Sequence, residues 1–230
     1  MPKEVPSNRG DETRNQLLET GLRLFSIHGY ESVSTRQLTR DSGANIAAIN
    51  YHFGGKEGLY RAVLEQLVND TEPYFGPGLQ KIQDSILTTT KDRKKLVPVI
   101  TGLVNNLFYF FLQDDFMCWR APLVMREYAN PSGNFDILYK GRIEPLHRTI
   151  TAIAAAVLQK PIDDEECVIR AHAILGQIVV FGIARVVLWK RLNWDGYSPE
   201  RVATIAEIAT QSVLNSLGLS SSKSSPDEGN

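Results

Sequence analysis

Apolar residues recur along most of the chain at intervals of three and four, which is the spacing of one helix face. No stretch alternates apolar with polar residues between hairpin turns, so no strand is predicted. In the first segment the acids Asp11 and Glu12 favour a helix start and Gly29 favours a stop. The apolar face of this helix consists of Leu17, Leu18, Gly21, Leu22 and Phe25. The pattern predicts an all-α fold.

Two very short helical segments follow, each with its own start and stop residues. Ser34 is a good N-cap with Gln37 three residues on, which is the capping-box spacing, and Gly43 ends the helix. Asn45 is a second N-cap, for a helix that runs to about Phe53. Two short helices joined by a turn that contains glycine are typical of a helix-turn-helix, whose second helix enters the major groove of DNA.

Further helices are predicted along the rest of the chain. One begins at Lys56, carries Leu59, Val63 and Leu67 on one stripe and reaches about Asn69. The others are predicted at about 78–89, 93–113, 117–129, 134–159, 163–191 and 198–217.

Prolines and acids mark particular points on these later helices. Pro122 and Pro145 should kink or divide two of them. Residues 163–166 are four acids at a helix start, where the macrodipole favours negative charge. We interpret them as a cap in preference to a metal site.

Proline and glycine cluster at residues 73–78, in TEPYFGPGL, and mark the joint between an N-terminal unit and the rest. We therefore predict a helix-turn-helix domain at 11–72 and a larger helical domain at 73–218. Residues 1–10 and 219–230 are rich in Pro, Ser and Gly and are predicted to be disordered tails, because they cannot offset their ordering entropy.

The net charge of −1 argues against a chain that coats nucleic acid through bulk charge. Basic residues are instead concentrated between positions 34 and 61, where Arg36, Arg40, Lys56 and Arg61 face only Asp41 and Glu57. Any DNA contact must therefore depend on where these few cations lie.

Cysteine usage and hydropathy indicate the compartment. Cys118 and Cys167 belong to no C-x-x-C pair, which fits a reducing environment. The longest uncharged apolar run, residues 172–184, is shorter than the ~18–20 residues of a membrane span, and the N-terminus lacks the apolar stretch of a signal peptide. We expect a cytoplasmic protein.

The second short helix has an inward and an outward side. At ~100° per residue Ile49 and Phe53 turn toward the core, with Ile46 beside them. The outward side consists of Ala47, Ala48 and Tyr51, flanked by Asn50 and His52.

These outward side chains suit contact with bases. Two alanines let the backbone approach closely, and Asn50 could read adenine in bidentate fashion. Tyr51 and His52 could donate to phosphates or bases, and Lys56 suits a phosphate. On the preceding helix Leu38 faces inward, so Thr35 could contact the DNA backbone and Arg36 a guanine edge. Each residue singly is more often a solvated surface group, and only the joint spacing favours DNA.

The stretch STRQLTRDSGANIAAINYHFGGKEGLYRAVLE closely resembles the DNA-binding domain of the TetR family of bacterial repressors. The match spans roughly residues 12–65, from the capped short helix through Tyr-His-Phe to the Lys-Glu-x-Leu helix start. The resemblance implies DNA contacts at Ser34, Thr35, Arg36, Asn45, Ala47, Ala48, Asn50, Tyr51, His52 and Lys56. Many members have an aromatic residue where this chain has Asn50. The remainder, including REYANPSG and RIEPLHRTI, looks like the C-terminal domain of the CecR-type branch.

A single helix-turn-helix touches one half-site and binds weakly, so a second copy is expected. The helices at about 171–191 and 198–217 are apolar on faces that include Val202, Ile205, Ala209 and Val213. Packed against their mates they would form a four-helix homodimer interface. The alternative is that these faces belong to the core of the protomer.

The middle helices are dense in aromatic and sulfur-bearing residues, as an apolar effector cavity requires. Candidate pocket residues are Phe111, Trp119, Met125, Tyr128, Phe181 and Arg185. A plain core explains the same residues equally well. TetR-like proteins use such a cavity to alter the spacing of their DNA-binding heads.

The four histidines are scattered, and no G-x-S-x-G, H-E-x-x-H or phosphate-binding glycine loop occurs, so neither an enzyme nor a metal or cofactor site is indicated. We predict a dimeric transcriptional repressor that binds a palindromic operator and is released by a small apolar or amphipathic effector. The alternatives are an activator of the same fold and a helical protein-interaction module that binds no DNA.

Overall fold

The computed structural model describes residues 9–89, 93–113 and 117–219, and every regular element in these ranges is helical. The all-α prediction is confirmed. The helices are α1 Arg9–His28, α2 Thr35–Ser42, α3 Ile46–Phe53, α4 Lys56–Thr89, α5 Leu96–Gln113, α6 Met117–Ala129, α7 Phe135–Leu138, α8 Glu144–Leu158, α9 Glu165–Ile183, α10 Arg185–Leu192 and α11 Pro199–Ser216. A 3₁₀ turn, Arg93–Lys95, precedes α5, and a π-helical turn, Tyr139–Ile143, joins α7 to α8.

The helices form two compact units. The first lies within Met1–Pro73 and Asp115–Ile143, and the second within Tyr74–Asp114 and Glu144–Asn230. α6, α7 and the π-helical turn therefore belong with the helix-turn-helix, although the sequence analysis assigned them to the second domain.

The two predicted tails fall almost wholly outside the described residues. Arg9 and Gly10 are the exceptions at the first end, and both belong to α1. Leu219 is the exception at the other end.

The core of the first unit combines residues from both of its chain segments. α1 packs against α2, α3 and α6. Leu123 of α6 and Leu138 of α7 are buried in the same apolar cluster as residues of α1 to α4. The helix-turn-helix members of that cluster include Leu17, Phe25, Leu38, Ile49, Leu59 and Leu64, none of which has accessible surface.

Helix α4 continues well past the predicted end near Asn69. It runs through Pro73, Gly76, Pro77 and Gly78 to Thr89. Phe75 and Leu79, within the cluster of breakers, are buried, and the Phe75 ring meets the Phe110 ring edge-on with centroids 4.5 Å apart. Packing of this apolar face outweighs the local preference of glycine and proline.

We expect Gly78→Ala to stabilise the protein. Gly78 is helical, and a Cβ built there meets no atom within 4 Å. Alanine should therefore raise the free energy of unfolding by roughly 0.5–1 kcal/mol, because the unfolded chain loses conformational freedom. Thermal and urea unfolding measure the change. Gly141→Ala is the contrasting variant, since its Cβ would lie 2.7 Å from Cγ1 of Val68. A destabilising Gly78→Ala would contradict a regular α4.

In the second unit α5 packs against α11 and α9, and α9 also packs against α8. Val202, Ile205, Ala209 and Val213 on α11 are all buried within the protomer. The stripe that the sequence analysis assigned to a dimer interface is thus protomer core, and the physical reason is that α5 covers it.

Two of the predicted long helices are divided. The predicted helix 134–159 becomes α7, the π-helical turn and α8, and Pro145 lies in the first turn of α8, where proline is tolerated. α6, in contrast, continues through Pro122. The predicted helix 163–191 becomes α9 and α10, and near this break Tyr197 donates to the Phe181 carbonyl at 2.7 Å.

The acids before α9 act as a cap, as predicted. The Asp164 side chain accepts from the backbone N–H of Glu166 at 3.0 Å, and Lys160 pairs with both carboxylates. Within the described ranges no three potential metal ligands come together.

Two segments in the described ranges, Arg93–Leu112 and Glu165–Ile183, are long and apolar enough to cross a membrane by length and composition alone, so the expectation that no apolar run reaches this length is wrong. This is weak evidence, because core helices of helical bundles pass the same test. Both helices pack against other helices of the second unit.

Candidate nucleic-acid interface

Capping residues define both short helices as the sequence predicts. The Ser34 hydroxyl accepts from the N–H of Gln37 at 3.1 Å, and Gly43 closes α2 at φ 71°. The Asn45 side chain accepts from the N–H of Ala48 at 2.8 Å, and Gly54 closes α3 at φ 72°. Both glycines adopt the left-handed conformation that other residues resist, so the helix ends are fixed locally.

Each short helix is anchored by one fully buried residue, Leu38 on α2 and Ile49 on α3. Phe53 is partly buried against the same core. Ile46, expected beside them, is 49% exposed, so that prediction is wrong. The first turn of α3 lies at the rim of the core rather than over it.

The opposite side of α3 is open to solvent. Tyr51 is 86% exposed, and its ring stands nearly perpendicular to that of His52, with centroids 4.9 Å apart. A shallow hollow of about 620 Å³ is lined by Thr13, Gly43, Ala44, Asn45, Ala47, Ala48, Tyr51 and His52. Five of the ten predicted contact residues therefore meet around one concave surface, with Asn50 exposed on the same helix.

The basic residues predicted to contact DNA differ in whether another side chain of the protein already contacts their charged group. The Lys56 ammonium lies 4.3 Å from the centre of the Tyr30 ring, so a cation–π contact holds it at the start of α4. Arg36 is exposed at the N-terminal end of α2. Arg40, which the charge count included, is exposed and forms an ion pair with Asp41 at 2.9 Å.

Sequence reasoning missed the role of Gly58. A Cβ at this position would lie 1.7 Å from the carbonyl oxygen of Phe53, so only glycine lets the first turn of α4 pass so close to the end of α3. The signal was present in the Lys-Glu-Gly-Leu start of α4, which places a glycine inside a helix without a turn to explain it.

We expect Gly58→Ala to abolish specific DNA binding and to destabilise the first unit, because α3 must move away from α4. Circular dichroism melting and a gel-shift titration measure the two effects. Gly133→Ala is the matched control, since no atom lies within 4 Å of its Cβ position. An alanine variant with unchanged melting and binding would show that this close approach does not position α3.

Residues 117–143 are bonded to α1 and α4 at several points. Arg126 donates to the Ser26 carbonyl at 2.9 Å, at the C-terminal end of α1. Arg120 and Asp70 form an ion pair at 2.6 Å, and Arg142 donates to the Val68 carbonyl at 2.8 Å. These contacts explain why the segment belongs to the helix-turn-helix unit.

The candidate effector residues are divided between the two units. Trp119, Met125 and Tyr128 lie on α6 in the first unit, and Trp119 lines a groove of about 440 Å³ there with residues of α1 and α4. Phe111, Phe181 and Arg185 lie in the second unit; Phe181 packs against Phe108 at 5.4 Å. A pocket formed by all six stays a prediction.

The fold and this surface define a helix-turn-helix DNA-binding protein with an attached helical domain. Residues 17–63 match the family model of bacterial regulatory proteins of the tetR family. Residues 97–219 match the C-terminal domain of the HTH-type transcriptional dual regulator CecR. The chain belongs to the TetR family of transcriptional regulators and carries a C-terminal domain of the CecR type. Both resemblances found in the sequence are confirmed.

Individual relatives agree with this membership. The HTH-type transcriptional dual regulator CecR of Shigella flexneri is 26% identical over 88% of this chain and 90% of that protein. The HTH-type transcriptional repressor NicS of Pseudomonas putida is 23% identical over 77% of this chain and 78% of its own.

Solved structures support the fold. A putative fatty acid metabolism regulator of Clostridium perfringens superposes with a TM-score of 0.57 at 16% identity, over 90% of this chain and all of that one. AibR, in complex with isovaleryl coenzyme A and operator DNA, superposes with a TM-score of 0.53 at 14% identity, over 87% of this chain and 97% of its own. The chain is a DNA-binding transcriptional regulator, a class of protein that is not enzymatic.

Proposed function

We propose that this regulator binds a palindromic operator as a homodimer, represses the adjacent genes, and is released by a small apolar or amphipathic effector. The observation that carries the proposal is α3, a helix capped at both ends, anchored by Ile49 and exposed along the side that bears Ala47 and Tyr51. A surface so poor in buried residues and so rich in hydrogen-bonding groups suits the major groove.

The contacts divide by chemistry. Ala47, Ala48, Asn50 and Tyr51 face the bases, where two small side chains permit close approach and the amide reads a base edge. Ser34, Thr35, Asn45, His52 and Lys56 contact the sugar-phosphate backbone, which fixes the register of α3. Arg36, exposed on α2, reaches a guanine edge or a neighbouring phosphate.

Dimerisation uses the exposed sides of α9 and α11. On α9 the apolar residues Val168, Ile169, Val180 and Ile183 are exposed, and on α11 Ile208 is 66% exposed. The two sides adjoin, since the Ser212 hydroxyl of α11 bonds the Gln177 side chain of α9 at 3.0 Å. So much apolar surface on neighbouring helices is typical of an obligate interface.

Effector release needs a ligand that distinguishes two states of the dimer. In the second unit the aromatic side chains of α5 and α9 offer the apolar lining, and Arg185, exposed at the start of α10, offers a charge for a polar end. The complex of AibR with isovaleryl coenzyme A is an example of an acyl ligand in a protein of this fold. The regulator acts in the cytoplasm, where operator DNA is found.

Activation from the same operator is the second candidate, because the Shigella flexneri relative is named a dual regulator. Transcription from the adjacent promoter, measured with and without the gene for this regulator, separates the two: repression requires higher expression in its absence.

We expect Lys56→Ala and Asn50→Ala to weaken DNA binding in different ways. Lys56→Ala removes a phosphate contact, so affinity should fall about equally for all sequences and the slope of log K against log salt should lessen by ~0.9 per phosphate. Asn50→Ala should cost ~1–3 kcal/mol at one base pair and relax the preference there.

Fluorescence anisotropy with matched and single-mismatch duplexes measures both effects. Glu65→Gln, on the exposed side of α4, is the control. If neither variant changes binding, the DNA is not contacted by α3 and the start of α4, and the proposed contact surface fails.

We expect Ile208→Asp to dissociate the dimer. Each interface would hold two such substitutions, and burying an aspartate in place of isoleucine forfeits ~1.5–3 kcal/mol of apolar burial per copy, so the dimer dissociation constant should rise roughly 100-fold or more. Analytical ultracentrifugation measures it. Ile162→Asp is the control, because Ile162 is 37% exposed in the turn before α9. Dimers that persist in Ile208→Asp would place the interface elsewhere.

A further inference from the structure

Glu127, on α6, is the only carboxylate that is buried among the described residues, with 2% of its surface exposed. It lies far along the chain from the helix-turn-helix but in the same compact unit. A buried carboxylate is costly unless it is hydrogen-bonded, so its partners show what its position is for.

Both carboxylate oxygens of Glu127 accept hydrogen bonds. The Tyr60 hydroxyl donates to Oε1, and the backbone N–H and the hydroxyl of Ser132 both donate to Oε2 at 3.1 Å. Tyr60 is also 2% exposed, and burial together with the bond to Glu127 raises its pKa well above the ordinary value. The phenol therefore remains a donor at any physiological pH.

Tyr60 connects this hydrogen bond, through the Tyr30 ring, to Lys56, which is one of the predicted DNA contacts. It is on α4 one turn after Lys56, and its ring packs against those of Phe25 and Tyr30, with centroids 4.9 and 4.8 Å away. The Tyr30 ring in turn carries the Lys56 ammonium at 4.3 Å. Glu127, Tyr60, Tyr30 and Lys56 thus form one continuous series of contacts.

Arg126, the residue before Glu127, fixes the backbone that precedes Tyr30. Arg126 donates to the Ser26 carbonyl at 2.9 Å and also to the Ile27 carbonyl, so it holds the last turn of α1. Gly29, at φ 80°, then redirects the chain into Tyr30, and the Arg126 guanidinium lies 3.4 Å from where a Cβ of Gly29 would be. The backbone on which the Tyr30 ring depends is therefore fixed from α6 as well.

We propose that Glu127 is a positioning residue for operator binding: through Tyr60 and Tyr30, its carboxylate sets where the Lys56 ammonium meets the DNA backbone. The inference rests on the proposed DNA-binding function. Glu127 itself touches no nucleic acid and acts only through the aromatic rings between α1 and α4.

Glu127→Gln isolates the role of the carboxylate. Glutamine has nearly the same size, but an NH2 group replaces one of the two acceptor oxygens, so either the Tyr60 hydroxyl or the Ser132 N–H loses the acceptor that Glu127 provides. The Tyr60 ring should then lose its fixed position. The Tyr30 ring, which packs against it and contacts the Lys56 ammonium, should shift as well. We expect specific affinity to fall about tenfold and the salt slope to lessen by ~0.9 for each phosphate that the protein no longer neutralises.

The decisive experiment is a double-mutant cycle with wild type, Glu127→Gln, Lys56→Ala and the double variant, using the full chain. The probe is the duplex that the wild type selects from a random-sequence pool, titrated at several salt concentrations. Because Glu127 acts through Lys56, Glu127→Gln should change affinity less than about twofold in the Lys56→Ala background. A merely structural role predicts additive losses and an unchanged salt slope.

Two controls keep the outcome clear. Circular dichroism melting and sedimentation establish that each variant is folded and dimeric at the assay temperature, and Glu65→Gln should bind as the wild type does. If Glu127→Gln is unfolded, Tyr60→Phe takes its place in the cycle, because it removes one donor and keeps the ring. It should give the same lack of additivity with a smaller loss, about threefold.

The possible failures are distinguishable. If the wild type selects no duplex, the proposed function fails and this inference with it. If it selects one but the losses at Glu127 and Lys56 are additive, or Glu127→Gln binds with wild-type affinity and salt slope, only the positioning role is overturned.

Discussion

An eight-residue helix is too short to be stable in water by itself, and this constraint governs the first unit. α3 offers the core one fully buried side chain, Ile49, and leaves most of its surface free. Its shape must therefore come from hydrogen bonds at its ends, which Asn45 and Gly54 supply, and from the elements on which it rests. Gly58 allows α4 to approach closely enough to provide that support.

The small number of buried residues on the short helices also explains why α6 and α7 belong to this unit. α2 and α3 each bury only one residue fully, and Leu123 and Leu138 add apolar side chains to the core that these helices share with α1 and α4. The polar contacts of Arg126, Arg120 and Arg142 fix the orientation of the added helices, since apolar packing alone is not directional. The surface of α3 that faces the DNA has few buried residues beneath it. It is made rigid by α6 and α7, which do not face the DNA.

The features that could be predicted from the sequence are those that neighbouring residues determine. Caps are local, so Ser34, Asn45 and the acids before α9 indicated helix starts correctly. The end of α4 was misjudged because Phe75 is buried by Phe110, a residue far away in the chain. Ile46 was misjudged because helical periodicity gives a direction but not the edge of the core.

Periodicity also shows that a face is buried without showing what covers it. The apolar stripe of α11 was assigned to a partner copy, yet α5 of the same protomer covers it, and the exposed side around Ile208 had no apolar periodicity to reveal it. The positioning role inferred for Glu127 was invisible for a related reason. A lone glutamate in a polar stretch carries no signal until Tyr60 and Ser132 are seen around it.

The first unit is discontinuous in the chain, because residues 74–114 belong to the other unit and separate its two segments. On the ribosome the N-terminal segment emerges while α6 and α7 are still unsynthesised, so this unit cannot reach its final core until the nascent chain has grown past Ile143. A gene fragment ending near Pro73 would encode a helix-turn-helix whose Tyr60 lacks its Glu127 acceptor and whose α1 lacks the packing of α6. Transfer of this DNA-binding unit to another regulator, in evolution or in the laboratory, would therefore require that residues 115–143 be transferred together with the N-terminal segment.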